Sequence, residues 1–291
     1  MDNIHINWFP GHMAKAQRMI REHLKLVDVV IELLDARIPV SSANPVIKEI
    51  IENKPRIVAL NKADLAEAEW NEYWSGVFRD QGLQVVALEA ITGKGTKALI
   101  GKVEQAASDT ITRLAAKGIR PRAVRAMILG IPNVGKSSLI NRLLGAATVR
   151  TADKPGVTRG KQWIKISKNL ELLDTPGVLW PKIEDSEVAL KLAITGAIND
   201  EVYDLEQVMS KFLCLLREHY SERIVERYKL NEPLPEENEE LLGLIGAKRG
   251  CLRAGGIVDY DKARKIILNE FRGGKLGRFT LDRGIENSSK T

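Results

Sequence analysis

This sequence predicts an α/β fold, a mostly parallel six-stranded sheet with flanking helices, followed by a smaller all-α domain. Three observations predict it. Six short apolar runs alternate with helical patterns between residues 27 and 173. Turns rich in Gly, Asn and Asp stand at the ends of those runs, where α/β proteins bind ligands. After about Val178 the strand pattern stops and only helical periodicity continues. We expect a first domain over residues 1–180, including an N-terminal segment 1–27, and a second over 181–291.

Composition narrows the function class. The 291 residues are 44% hydrophobic, enough for a sizeable core, and carry a net charge of +6. A basic excess suggests an anionic partner. No apolar run is long enough for a membrane span, and the N-terminus lacks a secretory core. A cytoplasmic protein without a membrane partner is therefore expected. Cys214 and Cys251 form no metal-spaced pair, so each reads as a buried small hydrophobe in a reducing compartment.

Taken in order, Trp8-Phe9-Pro10-Gly11-His12-Met13 precedes an amphipathic helix with Met13, Ala16, Ile20, Leu24 and Val27 near one face. His12 falls in the turn before that helix. Residues 27–34 are nearly all apolar and predict a central parallel strand. It ends in Asp35-Ala36-Arg37-Ile38-Pro39, where Asp35 and Arg37 suit a turn-fixing ion pair or a ligand contact equally. A helix over 45–53 leads to a strand over 56–60. A helix over 65–81, with Trp70, Tyr73 and Trp74 for packing, leads to a strand over 83–88. A long helix covers 96–117, and Lys117, Arg120, Arg122 and Arg125 follow as a basic connector. Residues 126–129 form another strand, and two more cover 162–166 and 170–173. Helices over 185–198, 204–228, a stretch ending near Gly246, and 261–271 complete the chain, with Asp204 and Gln207 suited to a capping box.

Five stretches carry chemistry. Gly130-Ile131-Pro132-Asn133-Val134-Gly135-Lys136-Ser137 fits G-x-x-x-x-G-K-[ST] between a strand and a helix. Such a loop surrounds phosphate oxygens with backbone N–H groups at a helix N-terminus. Lys136 would reach the β- and γ-phosphates, Ser137 would ligate Mg²⁺, and Val134, Gly135 and Ser138 would line the cradle. Asn61-Lys62-Ala63-Asp64 follows a buried strand as N-K-x-D. A carboxylate such as Asp64 can accept from both the N1–H and the 2-amino group of guanine, and adenine offers no such pair. Lys62 would lie along the base while Asn61 ties the loop to its neighbours. The loop at Glu89-Ala90 could close over guanine through backbone amides, although GTP-binding loops usually show Ser-Ala there. Residues 146–161 suit a switch in which Thr158 ligates Mg²⁺ and senses the γ-phosphate. Asp174-Thr175-Pro176-Gly177 is D-x-x-G, with Asp174 holding Mg²⁺ through water and Gly177 approaching the γ-phosphate. GTP, GDP and Mg²⁺ are the expected ligands.

The motif order is unusual, because N-K-x-D precedes the phosphate loop and D-x-x-G comes last. The same site forms if the chain of an ordinary small GTPase is cut and rejoined elsewhere. The second switch then leads straight into the helical domain. In that domain Lys248, Arg249, Arg253, Arg264, Lys265, Arg272 and Lys275 make a basic excess that suits RNA.

The opening Trp-Phe-Pro-Gly-His-Met, the Asp-Ala-Arg-x-Pro turn, the motif order and the basic helical tail resemble the circularly permuted GTPases of ribosome assembly. The resemblance covers almost the whole chain. It implies a GTPase that binds a late precursor of the large ribosomal subunit, contacts ribosomal RNA and ribosomal proteins but not DNA, and leaves after hydrolysis. A GTP-dependent RNA-binding switch without physiological hydrolysis is the alternative. Val178 stands where many GTPases place a water-orienting glutamine, so slow turnover alone and stimulation by the particle are expected. The resemblance points to His12 for catalysis, against a helix-capping or RNA-touching role. It also points to Asn133 for binding K⁺, against a merely loop-shaping hydrogen bond.

Overall fold

The computed structural model describes residues 10–51, 54–118, 122–145, 163–175, 177–180 and 183–284. The chain divides into two compact units. One consists of Phe9–Lys182 together with Phe279–Thr291, and the other includes Ile183–Arg278. The sequence boundary at residue 180 lies close to the first crossing. The second crossing differs from expectation, because the stretch from Phe279 belongs with the sheet and not with the helices.

The larger unit is built on a six-stranded sheet. Its strands are β1 (Val29–Asp35), β2 (Arg56–Asn61), β3 (Gln84–Ala87), β4 (Val124–Gly130), β5 (Trp163–Lys165) and β6 (Leu170–Leu173). The spatial order is β3-β2-β1-β4-β6-β5. All pairings are parallel except β5 with β6. Every residue of β1 is buried, as a strand covered on both faces requires. The helices are α1 (Pro10–Leu24), α2 (Pro45–Ile51), α3 (Ala68–Asp80), α4 (Thr96–Ala116) and α5 (Lys136–Leu144). This is the expected permuted architecture, with the strand before the phosphate loop next to the strand that opens the chain's sheet. One cluster joins Ile20 and Leu24 of α1 to Val30, Met127, Leu129, Leu173 and Val178. A second, with Leu34, Val58, Leu60, Phe78 and Val85, has Trp74 packed against it.

Two boundaries move for physical reasons. Helix α1 starts at Pro10, so His12 lies in its first turn and not in the turn before it. A proline at the first helical position loses no intrahelical bond. Helix α3 starts at Ala68, because the Leu65 N–H closes a turn onto the Lys62 carbonyl.

The helical unit contains α6 (Ser186–Thr195), α7 (Leu205–Tyr228), α8 (Asn238–Lys248) and α9 (Tyr260–Arg272). Asp185, Asp204 and Asp259 cap α6, α7 and α9 by accepting backbone N–H groups. Glu239 and Glu240 fall in the first turn of α8, where they complement its dipole. Phe212 and Phe271 meet edge to face at 5.0 Å in the core. Cys251 is buried as expected, but Cys214 is exposed, on the outward side of α7. Among the described residues no helix is long and apolar enough to cross a membrane.

Asp28 anchors the start of β1 to β4. Arg122 grips its carboxylate with two bonds of 2.7 and 2.8 Å, and the Arg125 N–H adds a third at 2.9 Å. Part of the basic connector is thus structural. Burial pushes this carboxyl up, but these three donors outweigh it and hold it below the ordinary value. A depressed carboxyl stabilises the fold above its unfolded pKa and loses that contribution as pH falls through the folded one. Arg122→Met should cost about 1.5–3 kcal/mol at pH 7. Urea titrations should show the difference from wild type shrinking below the ordinary carboxylate range.

Candidate nucleotide site

The strands β2, β1, β4 and β6 run parallel, so their carboxyl ends share one edge of the sheet. Asp35 lies opposite Asn61 across β1 and β2, and Leu33 lies opposite Gly130 across β1 and β4. The N-K-x-D loop and the phosphate loop therefore emerge on either side of β1.

Asn61 and Lys62 bridge that gap. Asn61 is buried, its Nδ2 donates to the Val134 carbonyl at 2.7 Å, and its Oδ1 accepts from the Ala90 N–H at 3.0 Å. One amide side chain thus ties three loops. The Ala63 N–H adds a bond to the Leu88 carbonyl at 3.2 Å. Lys62 has φ of 61°, which swings its side chain back over the sheet edge. Its Nζ donates to the Asn133 carbonyl at 2.8 Å and to Asp35 Oδ2 at 2.9 Å. Asp64 is partly exposed, and among the described residues its carboxylate has no hydrogen-bond or ion-pair partner. It can accept from a base.

Asp35 is a site residue whose role the sequence left open. It is 2% exposed and takes Arg37 Nε at 2.9 Å, Arg37 Nη2 at 2.7 Å and Lys62. Burial alone would push this carboxyl up; Arg37 and Lys62 more than reverse that and hold it far below the usual carboxylate range. Asp35 and Arg37 are thus a turn-fixing pair that also orients the lysine of N-K-x-D. The Asp35 N–H is held in turn by Ser42 Oγ at 3.1 Å. No local motif marks Ser42, so reading the sequence could not find it. Glu89 uses its carboxylate within its own loop, on Thr92 Oγ1 at 2.8 Å and Lys94 Nζ at 3.2 Å. The Ala90 N–H, expected near guanine, is already engaged by Asn61.

The phosphate loop needs its glycine. Gly135 has φ of 103°, and a Cβ there would stand 2.3 Å from Asn61 Nδ2. Asn133 is also left-handed, with φ of 56°. Lys136 is buried, and its Nζ donates to the Gly130 and Ile131 carbonyls at 3.1 and 2.8 Å. Burial lowers this ammonium to about 8, against the opposing charge of Asp174. The D-x-x-G segment passes directly over the loop. A Cβ on Gly177 would meet Pro132 Cα at 2.8 Å and Lys136 Nζ at 3.0 Å. Ser137 is a partly exposed hydroxyl at the start of α5, and Asp174 is a buried carboxylate beside Lys136. Hard oxygen donors of this kind, few in number, suit Mg²⁺, which keeps waters and phosphate oxygens as its other ligands. The donor set fits the ion. Thr158 lies outside the described residues, as does the side chain of His12.

Val178 cannot assist water. It is 3% exposed in the apolar cluster with Ile20 and Leu24, its N–H donates to Gly130 and its carbonyl accepts from Asn44 Nδ2.

In the helical unit the basic residues divide into two groups. Arg272 donates to the Ala193 and Ile194 carbonyls and to Asp200, and Arg264 pairs with Glu206 and Asp261. Arg249 joins Arg227 on buried Glu270. These three arginines hold the unit together. Lys248, Lys265 and Lys275 are exposed and have no ion-pair partner among the described residues, while Arg253 is exposed beside Asp259 at 3.0 Å.

Comparison with known proteins agrees with this geometry. Residues 125–236 match the family described as 50S ribosome-binding GTPase, and that match begins on β4, where a permuted chain regains the usual order. The chain is 52% identical over 277 residues to ribosome biogenesis GTPase A of Bacillus cereus, covering 95% of this chain and 93% of that protein. It is 30% identical over 278 residues to ribosome biogenesis GTPase A of Thermotoga maritima, covering 96% and 94%. The crystal structure of GNP-bound YlqF from T. maritima matches with a TM-score of 0.65 at 28% identity, over 92% of this chain and 98% of that one. With full-length relatives of this name and a permuted fold that brings together the N-K-x-D loop, the phosphate loop and the D-x-x-G segment, the chain belongs to the ribosome biogenesis GTPase A family, whose members hydrolyse GTP.

Proposed function

We propose that this ribosome-assembly GTPase binds a late precursor of the large ribosomal subunit and couples hydrolysis to maturation of that particle and to its own release. The observation that carries the reading is the joining of base loop to phosphate loop through Asn61 and Lys62, beside a D-x-x-G segment that leads into the helical unit. In this reading Asn61, Lys62, Ala63 and Asp64 select guanine, with Glu89 and Ala90 framing the base. Asn133, Val134, Gly135, Lys136, Ser137 and Ser138 hold the phosphates. Ser137, Asp174 and Thr158 hold Mg²⁺, which would neutralise charge developing on the transferred phosphoryl group. Gly177 senses the γ-phosphate, where any side chain would collide with Pro132. Lys248, Arg253, Lys265 and Lys275 meet ribosomal RNA, and ribosomal proteins complete the contact. The names of the relatives support a cytoplasmic site of action.

His12 supplies the catalytic group that Val178 cannot. The helix that carries it ends in Ile20 and Leu24, which share an apolar cluster with Val178, so α1 is anchored beside the second switch. Asn133 would help hold a K⁺ ion, whose charge would offset the negative charge that develops on the phosphates.

Five outcomes are expected. The protein should co-sediment with immature large subunits in a non-hydrolysable GTP analogue and not in GDP, and combined K248E and K265E changes should weaken this severalfold, with the deficit shrinking as salt rises. Phosphate-release assays on particles should show His12→Ala losing stimulated turnover while still binding GTP, and wild type turning over faster in K⁺ than in Na⁺. Equal rates in the two salts would remove K⁺ from the site. Because burial lowers Lys136 to about 8 and phosphate favours its charged form, proton uptake on GTP binding should be greater at pH 8.5 than at pH 6.5. Calorimetry in buffers of different ionisation heat measures this directly.

A further inference from the structure

The segment Phe279–Gly284 leaves the helical unit and seats itself between two loops of the sheet unit. Phe279, Thr280, Leu281 and Asp282 are all buried there. On one side the Phe279 N–H donates to the Leu65 carbonyl at 2.9 Å, and Leu65 directly follows Asp64. Thr280 and Glu67 exchange two bonds, Glu67 N–H to Thr280 Oγ1 and Thr280 N–H to Glu67 Oε2, each 3.2 Å. On the other side the Leu281 N–H donates to the Arg37 carbonyl at 2.7 Å. The Asp282 carboxylate caps the same loop, accepting the N–H groups of Val40 and Ser41 at 2.8 and 2.7 Å and the Ser41 hydroxyl at 2.7 Å. The Asp282 carbonyl accepts from Trp74 Nε1 at 2.7 Å, and a Cβ on Gly284 would collide with Tyr73 Oη.

These contacts reach both flanks of the guanine loop. Leu65 adjoins Asp64 in sequence. Arg37 orients Asp35, and Asp35 holds the Lys62 ammonium. We propose that Phe279–Asp282 is a positioning element for base recognition, with Asp282 as its staple, so that tight and selective guanine nucleotide binding requires the tail to be seated. This rests on the assignment of Asn61–Asp64 as the guanine loop. The backbone N–H groups of Phe279 and Leu281 grip one loop each, and the Thr280 N–H meets the Glu67 carboxylate. Asp282 then fixes the second loop by charge-assisted bonds. The tail follows Arg278 without a break, so the helical unit enters the sheet unit's chain after the D-x-x-G segment and leaves it at the base loop. A partner that engages the helical unit thereby gains a covalent line to guanine affinity that bypasses the phosphates. The element acts through other residues and touches no reacting atom.

The test compares GDP with inosine diphosphate, which lacks the 2-amino group that Asp64 would accept. If an unseated tail leaves the loop competent a tenth of the time, apparent affinity falls roughly tenfold. Asp282→Ala and the milder Asp282→Asn and Thr280→Val should each speed dissociation of a fluorescent GDP, in that order of severity. Their preference for GDP over inosine diphosphate should fall toward that of Asp64→Ala, with K⁺ and Mg²⁺ held constant. Circular dichroism melts identify any variant that fails to fold, and the two milder changes then give the reading. Unchanged dissociation and unchanged preference in folded variants would overturn the proposal. So would faster dissociation with the preference intact, which marks general loosening. If Asp64→Ala itself keeps the preference, the guanine assignment fails first and the tail's role falls with it.

Discussion

The site depends on one buried amide. Asn61 donates to the phosphate loop and accepts from the loop after β3, so three chain segments far apart in sequence share a single side chain. An amide suits this position because it carries a donor and an acceptor at fixed separation. A carboxylate would lose the bond to Val134, and an apolar residue would leave the Val134 carbonyl and the Ala90 N–H buried without partners. Gly135 is forced by the same contact, since Asn61 Nδ2 occupies the space a Cβ would need.

Around this amide the chain arranges its charges in a graded way. Asp35 lies under the base loop, neutralised by Arg37 and Lys62. Lys136 lies under the phosphate loop, with Asp174 as the nearby opposite charge. Buried charges of either sign are costly alone and tolerable when paired and hydrogen-bonded. The pairs keep the edge of the sheet preorganised for an anionic ligand, so less ordering remains to be done on binding. The second switch joins this platform through Val178, whose backbone is pinned to Gly130 and Asn44. That pinning explains why the residue after D-x-x-G faces the core, where an apolar side chain cannot orient a water.

Much of this was legible before any coordinates. The strands are legible because central parallel strands are continuous apolar runs, and every motif except the stretch 146–161 stands at the end of one. The permutation followed from motif order alone. What could not be read depends on distant partners. Asp282 is a lone carboxylate near the chain end, and its contacts lie 241 and 242 residues away. Counting charges also treated Arg272 and Arg264 as surface, whereas Arg272 is bonded to two helix carbonyls and Arg264 to two acidic side chains. Periodicity says which face of a helix is wet, but not which arginine has a buried acceptor waiting. Thr158 and the side chain of His12 lie outside the described residues, so both stand on sequence alone.

The return of the chain from Arg278 to the sheet unit has a practical corollary. A fragment ending near Lys182 would lack Phe279–Asp282 and leave the backbone of Val40, Ser41 and Leu65 exposed to solvent in place of its ligands. Its behaviour would say little about the intact fold. An isolated nucleotide-binding half is better obtained by removing the helices from within while keeping Phe279–Asp282 attached, treating the helices as a cassette carried by a body that is compact without them.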